Sequence, residues 1–116
     1  MDGEATFKYT DKVPGNDILK YCLFGMDKKK WPEIMHEMSP LYRVVEGKQY
    51  PPFQLFHGDA DKVVPYHQME EIDKKLTSVG AEVEAYRVTN ANHERDFWSQ
   101  AIYDHVLAFL DKKLKL

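Results

Sequence analysis

The chain has 116 residues, of which 43% are hydrophobic, 30% charged and 13% aromatic, with a formal net charge of -3 and an isoelectric point near 5.9. This size predicts one globular domain, and the acidic balance excludes the extended positive field with which proteins gather nucleic acid phosphates. The single cysteine, Cys22, excludes an intramolecular disulfide and a cysteine-based zinc site. We expect it to be a buried small hydrophobe in a cytoplasmic protein. The amino-terminal residues contain no apolar run, so the sequence predicts neither a signal peptide nor a membrane span.

The first fifty residues predict a loop followed by short helices. Residues 1–15 are polar and contain a Pro-Gly pair, which indicates a loop or an extended lead-in. A short helix is expected over 17–24, and Gly25 stands where a left-handed residue would end it. A second helix is expected over 32–38, because its first residue is a proline. Residues 41–50 are then predicted to form a loop.

From residue 51 onward the pattern predicts alternating strands and helices. Apolar and β-favouring runs over 53–57 and 82–88 indicate two short strands. Apolar residues recur at helical spacing over 66–79, and a long helix is expected after the polar loop that ends at residue 94. The apolar positions expected in that last helix are Phe97, Trp98, Ala101, Ile102, His105, Val106, Phe109 and Leu110. Because connections of this length join parallel strands, the predicted fold class is α/β, with residues 1–116 forming a single domain.

Polar residues follow each of the two predicted strands. The sequence His-Gly-Asp-Ala-Asp-Lys-Val-Val-Pro occupies 57–65, and Ala-Asn-His occupies 91–93. The carboxyl ends of neighbouring parallel strands meet at one edge of a sheet, so we expect Asp61 and His93 to lie close together. An acid and a histidine in this order are two-thirds of a catalytic triad. The 116 residues contain no Gly-x-Ser-x-Gly sequence to supply the nucleophile.

These motifs resemble those of the α/β-hydrolases, in particular the small esterase and lipase-like branch. In that family a strand ending in His-Gly-x-x-Asp-x-x-Val-Pro carries the triad acid, and a later loop carries the histidine. The positions that match are His57, Gly58, Asp61, Val64 and Pro65. The resemblance implies that Asp61 is the acid and His93 the base of a serine carboxylic ester hydrolase. The sequence departs from the family where Lys62 replaces a common proline and where Asn92 and Glu94 flank the histidine in place of glycine.

The resemblance also implies a place within a larger enzyme. Residues 51–116 are similar to the last two parallel strand-helix units of a partial α/β-hydrolase fold, and residues 1–50 are similar to a lead-in with a helical insertion or cap-like segment. The nucleophile and the oxyanion hole of such an enzyme would precede residue 1. We therefore expect this C-terminal portion to be inactive alone, to need no cofactor, and to act on a small-molecule ester only in the complete enzyme.

Two other functions remain open for the same residues. The chain is alternatively a non-catalytic α/β binding or assembly module, for which the missing nucleophile is the main support. In either case the strand over 53–57 would leave an unpaired edge, through which we expect self-association. A metal site formed by His57, Asp59, Asp61 and His93 is a competing interpretation. It is weakened because no His-x-His pair holds two ligands on one face.

Several other residues have structural interpretations. We expect Asp59 to stabilise the turn and His57 to form a hydrogen bond at the strand end. His105 is expected in the core. The aromatic residues expected to pack against the sheet are Phe97, Trp98 and Phe109. The insertion residues Trp31, Ile34, Met35 and Met38 either cover a substrate pocket or bury the insertion itself, and the sequence does not choose between these.

Overall fold

A computed structural model describes residues 16–94 and 96–115 of the chain, so the lead-in predicted over 1–15 lies outside the described residues. The helices and strands follow one another in the order α1 (Asn16–Phe24), α2 (Trp31–Met38), α3 (Pro40–Arg43), β1 (Phe53–Gly58), α4 (His67–Ser78), β2 (Val83–Val88) and α5 (Gln100–Leu114). A single 3-10 turn, Lys28–Lys30, lies between α1 and α2.

Strands β1 and β2 form a parallel pair, as the sequence predicts. Their register pairs Phe53 with Val83 and continues without interruption to Gly58 with Val88. Both strands therefore end at the same edge of the sheet, and the loops that follow them start side by side. The predicted α/β class is confirmed.

The core lies between one face of this sheet and helix α4. Buried residues Val44, Ile72 and Leu76 form its centre, and Phe53 and Leu55 of β1 pack against them. The apolar residues of α4 recur at helical spacing, so one side of the helix is buried while most of its charged residues are exposed. This packing fixes β1, and with it the start of the loop that carries Asp61.

Two predictions for the first fifty residues were wrong. The stretch predicted as a loop begins within a short helix, α3, because Ser39 is extended and Pro40 has a backbone angle that suits a first helical turn. Cys22 is exposed and not buried. Within residues 20–24 of α1, the buried residues are Lys20 and Phe24, four positions apart on one face, and Cys22 lies between them on the opposite side. The predicted left-handed Gly25 is confirmed, with φ of 78°.

The last helix begins later than predicted. Ser99 is extended and its side chain accepts a hydrogen bond from the Ile102 amide, so it caps a helix that starts at Gln100. Phe97 and Trp98 consequently lie in the loop before α5, and Trp98 is 56% exposed instead of being packed against the sheet.

The apolar side of α5 is only partly covered. His105, expected in the core, is exposed, although its ring lies 4.7 Å from the Tyr86 ring. Ile102 is the residue of this helix that is buried, and Leu107, Leu110 and Leu114 are exposed within the described part of the chain. None of the described helices is long and apolar enough to cross a membrane.

Candidate active site

The loops after β1 and β2 are held against each other by backbone contacts. The amide of Asp59 donates to the Val88 carbonyl at 3.1 Å, and the amide of Ala60 donates to the Ala91 carbonyl at 3.0 Å. Gly58 makes this approach possible, because a Cβ atom at that position would lie 2.2 Å from the Ala91 oxygen. The glycine of the motif thus brings the two loops into contact.

Asp61 and His93 meet at this edge of the sheet. The Nδ1 atom of His93 lies 2.9 Å from the Oδ2 atom of Asp61. The Asp61 side chain is 5% exposed and the His93 side chain is 40% exposed. A buried carboxylate therefore holds one nitrogen of an imidazole whose other parts remain accessible.

The Asp61 carboxylate is held on both of its oxygens. Its Oδ1 atom accepts hydrogen bonds from the amides of Val63 and Val64, each at 2.8 Å. Burial acts most strongly and would raise the pKa of Asp61, but the hydrogen bonds from His93, Val64 and Val63 together lower it below its usual value. Asp61 is consequently ionised near neutral pH and can only accept, so the Nδ1 atom of His93 carries the hydrogen. In the neutral ring the Nε2 atom then keeps a free lone pair.

A second histidine, His57, also contacts Asp61. Its Nε2 atom lies 2.9 Å from the Val64 carbonyl oxygen and 3.2 Å from Asp61 Oδ2. Because a carbonyl can only accept, Nε2 of His57 carries a hydrogen and donates it. The ring of Tyr66 packs edge-on against this imidazole at 5.8 Å between centroids. His57 therefore forms the hydrogen bond expected at the strand end.

Asp59 has a different role from Asp61. Its Oδ2 atom accepts from Arg87 Nε at 3.0 Å, and its Oδ1 atom accepts from the Asn90 amide at 2.6 Å. The hydrogen bond from Arg87, followed by that from Asn90, lowers the pKa of Asp59. This carboxylate ties the end of β1 to the turn after β2, as the structural interpretation of Asp59 anticipated.

Asn92 is a site residue that the sequence reasoning did not select. Its Oδ1 atom accepts from the amides of Lys62 and His93, at 3.0 and 2.8 Å. Its own amide donates to Asp96 Oδ1 at 2.9 Å. The available signal was the departure from a glycine-flanked histidine, since asparagine readily bonds to nearby backbone groups.

Within the described part of the chain, His93 lines a larger and a smaller cavity. The first has a volume of about 530 Å³ and is lined by Lys62, Val63, Asn92, His93, Glu94 and Asp96. The second has a volume of about 290 Å³ and is lined by Phe56, His57, Gly58, Asp61, Val64, Asn92, His93, Phe97 and Trp98. The second cavity combines the Asp61 and His93 pair with the aromatic side chains of Phe56, Phe97 and Trp98.

The helical insertion contributes to a different part of the molecule. The Trp31 ring packs against Tyr21 and Phe24, at 5.2 and 5.9 Å between centroids. Met38 lines a separate apolar cavity of about 510 Å³ next to Ile72 and Leu76 of the core. The Trp31 ring thus packs within the insertion, whereas Met38 is exposed.

Within residues 16–94 and 96–115, no three histidine, cysteine or acidic side chains are grouped so that they could hold a metal ion.

Comparison with known proteins relates the chain to one family and one solved structure. The model of the prolyl oligopeptidase family matches residues 6–116. The structure of Thermogutta terrifontis esterase 2 phosphonylated by sarin is similar with a TM-score of 0.56 and 22% sequence identity, over 75% of this chain and 36% of that one. The chain thus spans little more than a third of that esterase, and at this identity the likeness concerns the fold. A search of curated proteins finds no significant match.

Proposed function

The chain belongs to the prolyl oligopeptidase family and has a serine hydrolase-type α/β-hydrolase fold, and from this premise we propose that Asp61 and His93 are its triad acid and base. The observation that carries the proposal is the 2.9 Å contact between His93 Nδ1 and Asp61 Oδ2 at the end of two parallel strands. It is the contact by which a triad acid orients its histidine. A serine supplied by the complete enzyme would be the third member.

The three serines of the sequence are engaged in local structure. Ser39 is buried and its hydroxyl donates to the Met35 carbonyl at 2.6 Å. Ser78 donates to the Lys75 carbonyl at 2.7 Å, and Ser99 caps helix α5. All three lie at helix ends, away from the strand-to-helix turn on which a hydrolase nucleophile sits. This supports a nucleophile from another segment.

The proposed reaction proceeds by proton transfer through His93. Its Nε2 lone pair accepts the proton of the serine hydroxyl as the serine oxygen attacks the substrate carbonyl carbon. The imidazolium that forms is stabilised by the ionised Asp61 next to Nδ1–H. His93 then returns the proton to the leaving group, and a water molecule repeats the sequence to release the acid. Asp61 stays ionised throughout, in agreement with its lowered pKa.

We propose a small-molecule carboxylic ester as the substrate. The similar structure is that of an esterase, and the 290 Å³ cavity beside the pair has the size and aromatic lining that suit a short acyl group. A peptide bond is the second candidate, favoured by the family that matches. Both substrates use the same nucleophilic attack, and they differ in the leaving group that His93 must protonate.

The 116-residue chain by itself is proposed to be inactive. In another triad enzyme, removal of the serine lowers turnover by on the order of 10⁶-fold, and the oxyanion hole supplies much of the remaining catalysis. A non-catalytic binding or assembly module is the alternative function for this chain. An experiment on the complete protein can distinguish these two functions, because only the hydrolase hypothesis requires Asp61 and His93 for turnover.

The experiment compares Asp61→Asn and His93→Gln with the matched control Asp59→Asn in the complete enzyme. Hydrolysis of p-nitrophenyl acetate and butyrate, and of a prolyl p-nitroanilide, is measured for each folded variant. We expect the two triad variants to lose at least roughly 10³-fold in turnover while the control retains most of its activity. Full activity in either triad variant would overturn the assignment. The substrate that is hydrolysed faster decides between an ester and a peptide.

A cytoplasmic location is proposed as well. A single cysteine fits a reducing compartment, where disulfides are not maintained. Subcellular fractionation tests this, and recovery in a secreted fraction would contradict it.

A further inference from the structure

The side chain of Asn92 joins the loops that carry Asp61 and His93. A single oxygen, Oδ1, accepts from the amide of Lys62, at 3.0 Å, and from the amide of His93 itself, at 2.8 Å. Lys62 directly follows Asp61 in the chain. One carbonyl oxygen therefore fixes the backbone beside the proposed acid and the backbone of the proposed base.

The hydrogen bonds to Asn92 Oδ1 lie further along the two loops than the backbone hydrogen bonds that join them. Among the described residues, the last backbone hydrogen bond between the two loops joins Ala60 to Ala91 at 3.0 Å, before either triad residue is reached. His93 is exposed, so its ring is not locked in place by packing. The position of His93 relative to Asp61 therefore depends on their mutual hydrogen bond and on the path of the backbone through residues 91–93, where Asn92 forms its contacts.

Asn92 is itself held from the other side. Its amide donates to Asp96 Oδ1 at 2.9 Å, which restrains the turn that follows His93. A side chain that is anchored at its own backbone and accepts two hydrogen bonds has little freedom to move. Such pre-organisation is what a catalytic pair requires, because small misplacements of reacting groups lower the rate strongly.

We propose that Asn92 is a positioning residue of the triad, an inference that rests on the proposed function of Asp61 and His93. Its carboxamide oxygen sets the distance and orientation of the His93 imidazole relative to the Asp61 carboxylate. Both contacts use Oδ1 as an acceptor, so an aspartate at position 92 keeps them. A leucine, which has a similar shape and no acceptor, removes both.

The first test uses nuclear magnetic resonance on the 116-residue chain and does not depend on catalysis. In the unsubstituted chain, after histidine ¹⁵N labelling, we expect the Nδ1 proton of His93 to give a downfield, hydrogen-bonded resonance. In Asn92→Leu we expect this resonance to move upfield or to be lost by exchange, and the Lys62 amide to exchange at least about tenfold faster. Asn92→Asp restores both signals.

The outcomes of this test are decisive for Asn92. Retention of the Nδ1 resonance and of Lys62 protection in Asn92→Leu overturns the proposal. Asn92→Ala serves as a second variant that removes the acceptor with less added bulk. If both variants lose the amide resonances typical of the paired strands β1 and β2, Asn92 is required for folding. That result also overturns its positioning role.

The second test is kinetic and uses the complete enzyme. We expect Asn92→Leu to lower kcat by about 100-fold, the loss that a misplacement of roughly 1 Å produces, with KM within about twofold. Asn92→Asp recovers most of the loss. A change confined to KM contradicts the positioning role. If Asp61→Asn and His93→Gln leave turnover intact, the proposed function fails, whereas the resonance test still reports on Asn92.

Discussion

His57 and Asp61 lie four residues apart and meet at the end of β1, where His57 Nε2 is 3.2 Å from Asp61 Oδ2. The same Nε2 atom is 2.9 Å from the carbonyl oxygen of Val64, whose amide donates to Asp61 Oδ1. The imidazole, the carboxylate and the loop backbone thus form a closed set of hydrogen bonds. His57 thus contacts the same Asp61 oxygen, Oδ2, that His93 Nδ1 contacts, while the Val64 amide holds Oδ1.

Replacement of His57 by phenylalanine should destabilise the chain. The substitution removes the donor and leaves the Val64 carbonyl without its partner in a half-buried site, which costs about 1–3 kcal/mol of unfolding free energy. Urea unfolding followed by circular dichroism measures the loss. His57→Gln keeps an N–H donor and should lose less. Equal stability of the phenylalanine variant and the unsubstituted chain would show that this set of contacts does not stabilise the loop.

Replacement of Gly58 by alanine should force the two loops apart. The added Cβ would lie 2.2 Å from the Ala91 oxygen, which is backbone and cannot rotate away, so we expect a loss of about 1–3 kcal/mol. The Nδ1 resonance of His93 should change as well, since its loop moves. Gly47→Ala is the control, because it introduces strain at φ of 82° but has open space around the new Cβ. An unchanged His93 resonance in Gly58→Ala would mean that the loops do not need this close approach.

The sequence predicted the strand pair and the meeting of Asp61 with His93 because both depend on short-range patterns. Apolar and β-favouring runs define the strands, and parallel strands bring the residues after them to one edge. It did not predict the exposure of Trp98, because burial depends on which surfaces pack together and periodicity cannot supply that. The role of Asn92 was missed for a similar reason. Its partners, the amides of Lys62 and His93, are identified only when the two loops are seen side by side.

Acid should weaken the fold through Asp61 and Asp59. The pKa of each carboxyl is lowered in the folded state, so each contributes stability that is fully present above its unfolded value, near 3.9, and is lost as pH falls through the folded value. We expect the unfolding free energy to fall below about pH 4, and to fall less steeply in Asp61→Asn and in Asp59→Asn. Urea titrations between about pH 2 and pH 7 measure these slopes. Parallel curves for a variant and the unsubstituted chain would contradict a lowered pKa at that position.

The 116-residue chain should self-associate through the outer edge of β1. Within the described residues the sheet has two strands, so β1 pairs with β2 on one side and its backbone donors and acceptors on the other side have no neighbouring strand. Size-exclusion chromatography with light scattering should show species larger than a monomer at high concentration.

The exposed Leu107 and Leu110 on α5 offer a competing apolar surface, so a double lysine variant at these positions is the control. Association that survives in that variant supports the strand edge, because helix α5 no longer offers an apolar contact. If only the variant is monomeric, the interface lies on α5. If the unsubstituted chain is itself monomeric at high concentration, neither surface mediates self-association.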